Sequence, residues 1–262
     1  MGDLPAMEEV ADGVVVATGT HVSWTLVVDG SDVTLVDAGY LGNADLVLAS
    51  VQHVCGRRSA SLAAVVLTHA HVDHLGAASR LHAAGAGFPR TDPQSGVPVL
   101  AHEAEAAHVR GDVVEQVTAA QVLARAWRPR VLRWALEISL LGKAPKAERV
   151  ADPVAFAAGG GALDVPGGLV PVPTPGHTSG HCSYHLPGRG VLIVGDAFAT
   201  GHALSSRSGP QLLPAFFDHD RDRAVASLEA LRSLPADVVV AGHGPPFRGT
   251  PAEAVELALT TM

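Results

Sequence analysis

The residues best suited to chemistry in this 262-residue chain crowd into one short stretch, His69-Ala70-His71-Val72-Asp73-His74. Three imidazoles and a carboxylate within six residues form a donor set that suits zinc or iron, ions that take nitrogen and oxygen ligands at about 2 Å. In extended chain His69 and His71 point the same way, with backbones about 7 Å apart. One strand end cannot surround an ion, so partners from distant parts of the chain are required. Four further residues are candidates by type and setting: Asp37 after Leu35-Val36, His177 within Pro175-Gly176-His177-Thr178, Asp196 after Gly195, and His243 after Gly242. The chain holds 14 histidines, an excess that points to metal or acid–base work.

Each candidate lies at the end of a short apolar run that reads as a buried strand. Ala63 to Leu67 precedes the histidine cluster, and Leu75, Ala78 and Leu81 follow it as a helix with a glycine stop at Gly85. An early strand begins at Val14, and a hairpin joins His21–Val28 to Val33–Val36 across Asp29-Gly30-Ser31-Asp32. Asn43 is expected to cap a helix carrying Val47, Val51 and Val54. Residues 85–96 read as a loop, and Val97–Leu100 as a strand. A β-rich half opens at Gly159-Gly160-Gly161, with strands at 169–172, 182–186, 191–194 and 237–241. Residues 201–219 read as a loop, and Asp220 or Asp222 starts a helix. Thr250-Pro251-Ala252-Glu253 is a capping box with proline at the first helical position. Strands first and helix after, in each half, suit two sheets packed face to face with helices outside.

From His102 to about Lys146 helical periodicity dominates. About 45 residues is short for an independent core, so this stretch reads as a helical insertion, or lid, over a site. Its Arg125, Arg128, Arg130 and Arg133 read as a solvated face.

Composition bounds the rest. The formal net charge is −8, which gives no general attraction for nucleic acid. Two cysteines, Cys55 and Cys182, are too few for a disulfide framework. The start has no signal-like segment and no run reaches a membrane span, so a cytoplasmic protein with no membrane partner is expected.

Taken together, His69-x-His71-x-Asp73-His74, Pro175-Gly176-His177-Thr178, Gly195-Asp196, Gly242-His243 and the leading Asp37 resemble the five motifs of the metallo-β-lactamase superfamily, in order and over nearly the whole chain. The resemblance implies an α+β fold, a single αβ/βα four-layer sandwich across 1–262. It implies one metal held by His69, His71 and His177, a second held by Asp73, His74 and His243, and Asp196 bridging them, with Asp37 orienting a ligand. The expected cofactors are two divalent ions, zinc first, with a single Fe2+ on His69, His177 and Asp196 as the alternative. The implied reaction is hydrolysis, in which a metal-bridging hydroxide attacks an ester, thioester or lactone carbonyl, with Asp73 or Asp196 handling the proton. The iron alternative would be a sulfur dioxygenase. That reading is disfavoured because Ala197-Phe198-Ala199-Thr200 follows Asp196 where a Gly-Cys-Gly-Arg-like stretch is expected.

A bridging Asp196 is not a feature of true zinc β-lactamases, so antibiotic hydrolysis is not implied. Pro175 to His181 looks glyoxalase-like, although no long helical C-terminal domain follows. His21, His202 and Tyr40 are candidate contacts for a small-molecule substrate, and a homodimer is considered. His181 and His185 read as structural.

Overall fold

The computed structural model describes residues 3–83, 96–141, 149–159 and 161–261. Seven strands form the first sheet in chain order: β1 (Ala6–Ala11), β2 (Val14–Thr18), β3 (Ser23–Asp29), β4 (Asp32–Val36), β5 (Ser61–Val66), β6 (Val99–His102) and β7 (Val154–Phe156). The β1–β4 neighbours pair antiparallel, joined by tight turns. From β4 to β7 the pairing is parallel. Parallel neighbours need a crossover, usually a helix. Between β4 and β5 the crossover is α1 (Ala44–Arg58). Between β5 and β6 it includes α2 (Val72–Leu75) and α3 (Ala78–Ala83). The insertion is the crossover from β6 to β7, enlarged to hold α4 (Ala106–Arg110), α5 (Ala119–Leu123) and α6 (Pro129–Leu141).

The second sheet is built from β8 (Val170–Pro173), β9 (Cys182–Leu186), β10 (Val191–Gly195), β13 (Val238–Ala241) and β14 (Phe247–Arg248). Between β10 and β13 run a two-stranded ribbon, β11 (Ala199–Gly201) with β12 (Ser208–Gln211), and the helices α7 (Arg221–Ser227) and α8 (Glu229–Arg232). The chain closes on α9 (Pro251–Leu259).

Strand periodicity assigns the layers. Along β10, Val191 and Ile193 face the space between the sheets, while Leu192 and Val194 face α8 and α9. Along β2, Val14 and Val16 enter the inter-sheet core and Val15 packs toward α1. Successive side chains of a strand point to opposite faces, so a strand apolar on both sides must sit between two layers. Three apolar clusters therefore separate four layers, helix–sheet–sheet–helix, as the resemblance implies.

Several local expectations need correction. Asn43 stands at the start of α1 but makes no side-chain cap, because a 3-10 turn at Leu41–Asn43 already winds the chain into the helix. His21 precedes its strand, in left-handed backbone at φ 64°. The strand β7, signalled by nothing in the sequence, joins the first sheet ahead of Gly159. β12 falls inside the expected loop 201–219, and β1 and β14 were not anticipated. Both cysteines are buried free thiols. Gly85, most of the 85–96 loop, Gly160 and the end of the insertion at 142–148 lie outside the described residues.

Candidate metal centre

Five strands, β4, β5, β8, β10 and β13, deliver their C-terminal ends to one edge of the sandwich. There Asp37, His69, His71, His177, Asp196 and His243 are all buried, along with His74 from α2. Three groups of donor atoms lie within 4.8 Å of one another: His69, His71 and His177; Asp73, His74 and His243; and His69, His74 and Asp196. The first two are the trios that the resemblance implies. Asp196 stands between them, with Oδ2 3.4 Å from His177 Nε2 and Oδ1 3.4 Å from His74 Nε2.

The outer contacts decide which nitrogen of each ring faces inward. His71 Nε2 lies 2.6 Å from the Glu115 carbonyl oxygen, which can only accept. His177 Nδ1 donates to Asp218 Oδ1 at 3.0 Å, and His74 Nδ1 to Asp37 Oδ2 at 2.8 Å. His243 Nδ1 donates to the His21 carbonyl at 2.5 Å. Thr68 gives its own proton to Asp37 Oδ2, so its oxygen accepts from His69 Nδ1 at 3.0 Å. In the neutral form of all five rings the proton is thus held outside and a lone pair is turned to the centre.

Those lone pairs face one another or face carboxylate oxygen. His71 Nδ1 and His177 Nε2 are 3.0 Å apart, and His243 Nε2 is 3.2 Å from Asp196 Oδ2. His69 Nε2, His74 Nε2 and Asp196 Oδ1 are buried with no hydrogen-bond partner. Buried polar atoms are ordinarily satisfied, and converging acceptors repel unless a cation lies among them. The residues present therefore fit divalent metal ions.

The local field says the same. Burial acts to lower the pKa of His74, yet the carboxylates of Asp196, Asp37 and Asp73 outweigh it and hold the ring well above its ordinary value. His243 is raised to about 8 by Asp196 and Asp73 against the same burial. Burial would raise Asp196, but His243 and His74 hold it well below the usual carboxylate range. For His69 and His71 burial and the neighbouring rings win: His69 is held well below its ordinary value and His71 falls to about 3.

Asp37 is bonded to more than His74 alone. Its carboxylate accepts from Thr68 N and Thr68 Oγ1, each at 2.8 Å, as well as from His74. It adopts φ 63°, a conformation costly for a residue with a Cβ and kept here by these bonds. Two glycines mark close approaches. A Cβ at Gly242 would lie 2.4 Å from Asp196 Oδ1 and 2.6 Å from His74 Cε1. One at Gly195, at φ 51°, would meet His181 and Thr68 at 2.8 Å.

Several supports were not anticipated. Asp218, on a short turn after Phe217, carries no sequence signal. Glu105 is fully buried and accepts from Ala70 N, Thr178 Oγ1 and Gly180 N, tying the His69–His71 segment to the His177 loop. Burial lifts its pKa to about 7. His181 accepts from the Asp196 backbone N–H at 3.0 Å and His185 bonds the Pro235 carbonyl, which agrees with their structural reading.

A cleft of roughly 470 Å³, measured to its open mouth, exposes Asp73, Asp196, His71, His177 and His243. The insertion contributes Gln116, Val117, Trp134 and Ile138 to its walls, and Tyr40 and His202 line it as expected. His21 does not: its ring turns to Glu137 of α6 at 2.6 Å, and its backbone oxygen serves His243.

The sequence profile of the metallo-β-lactamase superfamily matches residues 17–243, and the chain belongs to that superfamily. It is 27% identical over 241 residues to YobT of Bacillus subtilis (strain 168), an uncharacterized protein, covering 91% of this chain and 89% of that one. It is 27% identical over 226 residues to YflN of the same organism, a probable metallo-hydrolase, covering 82% of this chain and 76% of that one. Among solved structures it resembles the di-iron-bound form of TTHA1623, with a TM-score of 0.57, 24% identity and coverage of 93% and 96%. The family, the relatives and the clustered donors together place the chain in a metallo-hydrolase superfamily with a candidate metal-binding cluster of histidines and aspartates.

Proposed function

We propose that the protein hydrolyses ester, thioester or lactone bonds in a small, partly apolar substrate, using two divalent ions, zinc in the first instance. His69, His71 and His177 would hold one ion, and Asp73, His74 and His243 the other, with Asp196 shared. The observation that carries this reading is the set of five rings whose outward nitrogens are all committed to acceptors, so that every inward nitrogen is a free ligand. Bound there, the ions supply electrophilic polarisation of a carbonyl and a water acidic enough to attack near neutral pH.

The chain's own residues shape the rest. Asp73 is the more solvent-accessible of the two central carboxylates and lies beside His243, with Oδ2 3.4 Å from Nε2. It is placed to take the proton released as the acyl carbon is attacked and to pass it to the leaving oxygen or sulfur. His202 accepts from Leu204 N–H at its Nδ1, which fixes the neutral tautomer and leaves Nε2–H as a donor. Burial and the neighbouring His243 keep that ring neutral, at about 3. It is positioned to hold a substrate oxygen in the cleft. Trp134, Ile138, Val117 and Phe217 exclude water and favour an apolar acyl portion.

The test is metal content on freshly purified protein, with His74→Ala and His243→Ala beside it, followed by a panel of lactones, thioesters and esters. About two zinc per chain, falling to one in each variant, with turnover of at least one acyl class, is expected. One iron per chain unaffected by either substitution would overturn the reading in favour of oxygen-dependent chemistry.

A further inference from the structure

Ten large apolar side chains stand exposed among the described residues, and seven of them lie between 113 and 140. Trp127 is 75% exposed, Leu123 72%, Leu140 65% and Leu136 61%. Single exposed apolar residues are ordinary, but a concentration of this kind on one segment marks a surface that meets something. On α6, Val131 and Trp134 are buried against the body, and Trp134 and Ile138 line the cleft. Leu132, Leu136 and Leu140 follow at a spacing of four and fall on the opposite side of the helix. One helix thus roofs the cleft with one face and carries an exposed leucine stripe on the other.

Charge says what covers it. From Ala119 to Leu141 there are four arginines (125, 128, 130 and 133) and one acid, Glu137, a net of +3. The whole chain is −8, so the remainder carries −11. The basic segment of an acidic chain is therefore also its most exposed apolar one. Arg133 is paired with Glu137, and Arg128 lies over the Trp127 ring. Arg130 takes no partner among the described residues. An isologous contact between two copies would set +3 against +3. Leucine, tryptophan and arginine exposed on one segment, α5 to α6 with the turn between them, are the composition of a segment lying in a lipid headgroup layer.

We propose that the outer face of α5 and α6 docks on an anionic lipid surface, with Trp127 and the leucine stripe entering the headgroup region and Arg128 and Arg130 meeting lipid phosphates. The expectation of no membrane partner rested on the missing span, and indeed no helix of the described residues is long and apolar enough to cross a membrane. A helix lying in the interface needs no span. The arrangement would bring an amphiphilic substrate to the roof of the cleft.

The protein carries its own reporter. Trp24 and Trp134 are buried and Trp127 is not. Vesicles of phosphatidylcholine and phosphatidylglycerol at 3:1 should shift the tryptophan emission to the blue and carry the full-length protein upward in a flotation gradient. Pure phosphatidylcholine vesicles should bind at least tenfold more weakly, and 0.5 M salt should weaken the anionic binding likewise. Leu136→Ser with Leu140→Ser, and separately Arg128→Glu with Arg130→Glu, should each weaken binding tenfold or more while thermal unfolding stays unchanged. Absence of flotation with anionic vesicles would overturn the proposal. So would flotation without a shift in emission, or a dimer in sedimentation that the leucine variants dissociate. Binding is read without turnover, so its failure leaves the hydrolase reading standing, and a protein without metal or activity can still pass this test.

Discussion

The metal edge and the helical insertion meet across one cleft and are built on opposite terms. At the edge, donors sit on the ends of strands buried on both faces, and their outer atoms are bonded to Asp37, Thr68, Asp218 or a backbone carbonyl. In the insertion, α5 buries none of its residues and α6 buries only Val131 and Trp134. Its start is anchored by Glu105 and the buried face of α4, and beyond them a few contacts hold it to the body: Glu115 carbonyl to His71, the Glu115 carboxylate to Ser179 N at 2.7 Å, Glu137 to His21, and Trp134 against Phe217. The difference teaches where each task is kept. Positions that must hold to a few tenths of an ångström are anchored in the core, whereas under the proposed function substrate choice falls to α5 and α6, which bury little.

Breaking the edge should have the largest effect. Asp196→Asn removes charge from the residue placed between both trios, and activity should fall on the order of 10³-fold or more with loss of bound metal, read by elemental analysis and initial rates. Next comes a residue that never touches the ions in the proposed scheme. Asp37→Asn leaves His74 and Thr68 without their charged acceptor, and metal affinity should drop about 10–100-fold in a chelator competition. Unchanged affinity would mean that the edge is less dependent on its supports than the geometry implies.

The field at the edge gives a pH signature. In the metal-free protein the folded pKa of His243 is raised to about 8, above the ordinary 6.5. Its contribution to stability is complete below pH 6.5 and is lost as pH rises through 8. Metal replaces the proton on that nitrogen, so the stabilisation given by metal should grow by about 2 kcal/mol between pH 6.5 and 8.5. Paired melts of loaded and chelator-treated protein would show this, and a pH-independent difference would contradict it.

Substitutions in the insertion should sharpen the contrast. Trp134→Ala opens the roof and should raise KM for substrates with apolar acyl groups far more than it lowers kcat. Leu136→Ser should change stability by less than about 0.5 kcal/mol, because that side chain is already in water. A large loss of stability would show that the outer stripe is covered in the folded protein.

How much of this was legible beforehand differs residue by residue. His69, His71, Asp73 and His74 announced themselves because so short a span, so dense in donors, rarely arises by chance. The layers were readable from strands running first and helix after in each half, and the structure adds that β10 and β2, apolar at nearly every position, alternate between two apolar environments. Asp218 and Glu105 were not readable. Each is one acid among 26, and its role exists only because the fold carries it against a ring or a loop distant in sequence. His21 was misjudged for a related reason, as its useful atom is a backbone oxygen that every residue possesses.

The sequence by itself determined the donor set, its order along the chain and the sandwich that brings the strand ends together, because side-chain chemistry and strand period are local properties. Only the tertiary structure decided which nitrogen of each histidine faces the centre, which face of α6 roofs the cleft and which stripe it leaves outside. Those are matters of direction, and direction is set by contacts between segments up to 222 residues apart, such as His243 with His21.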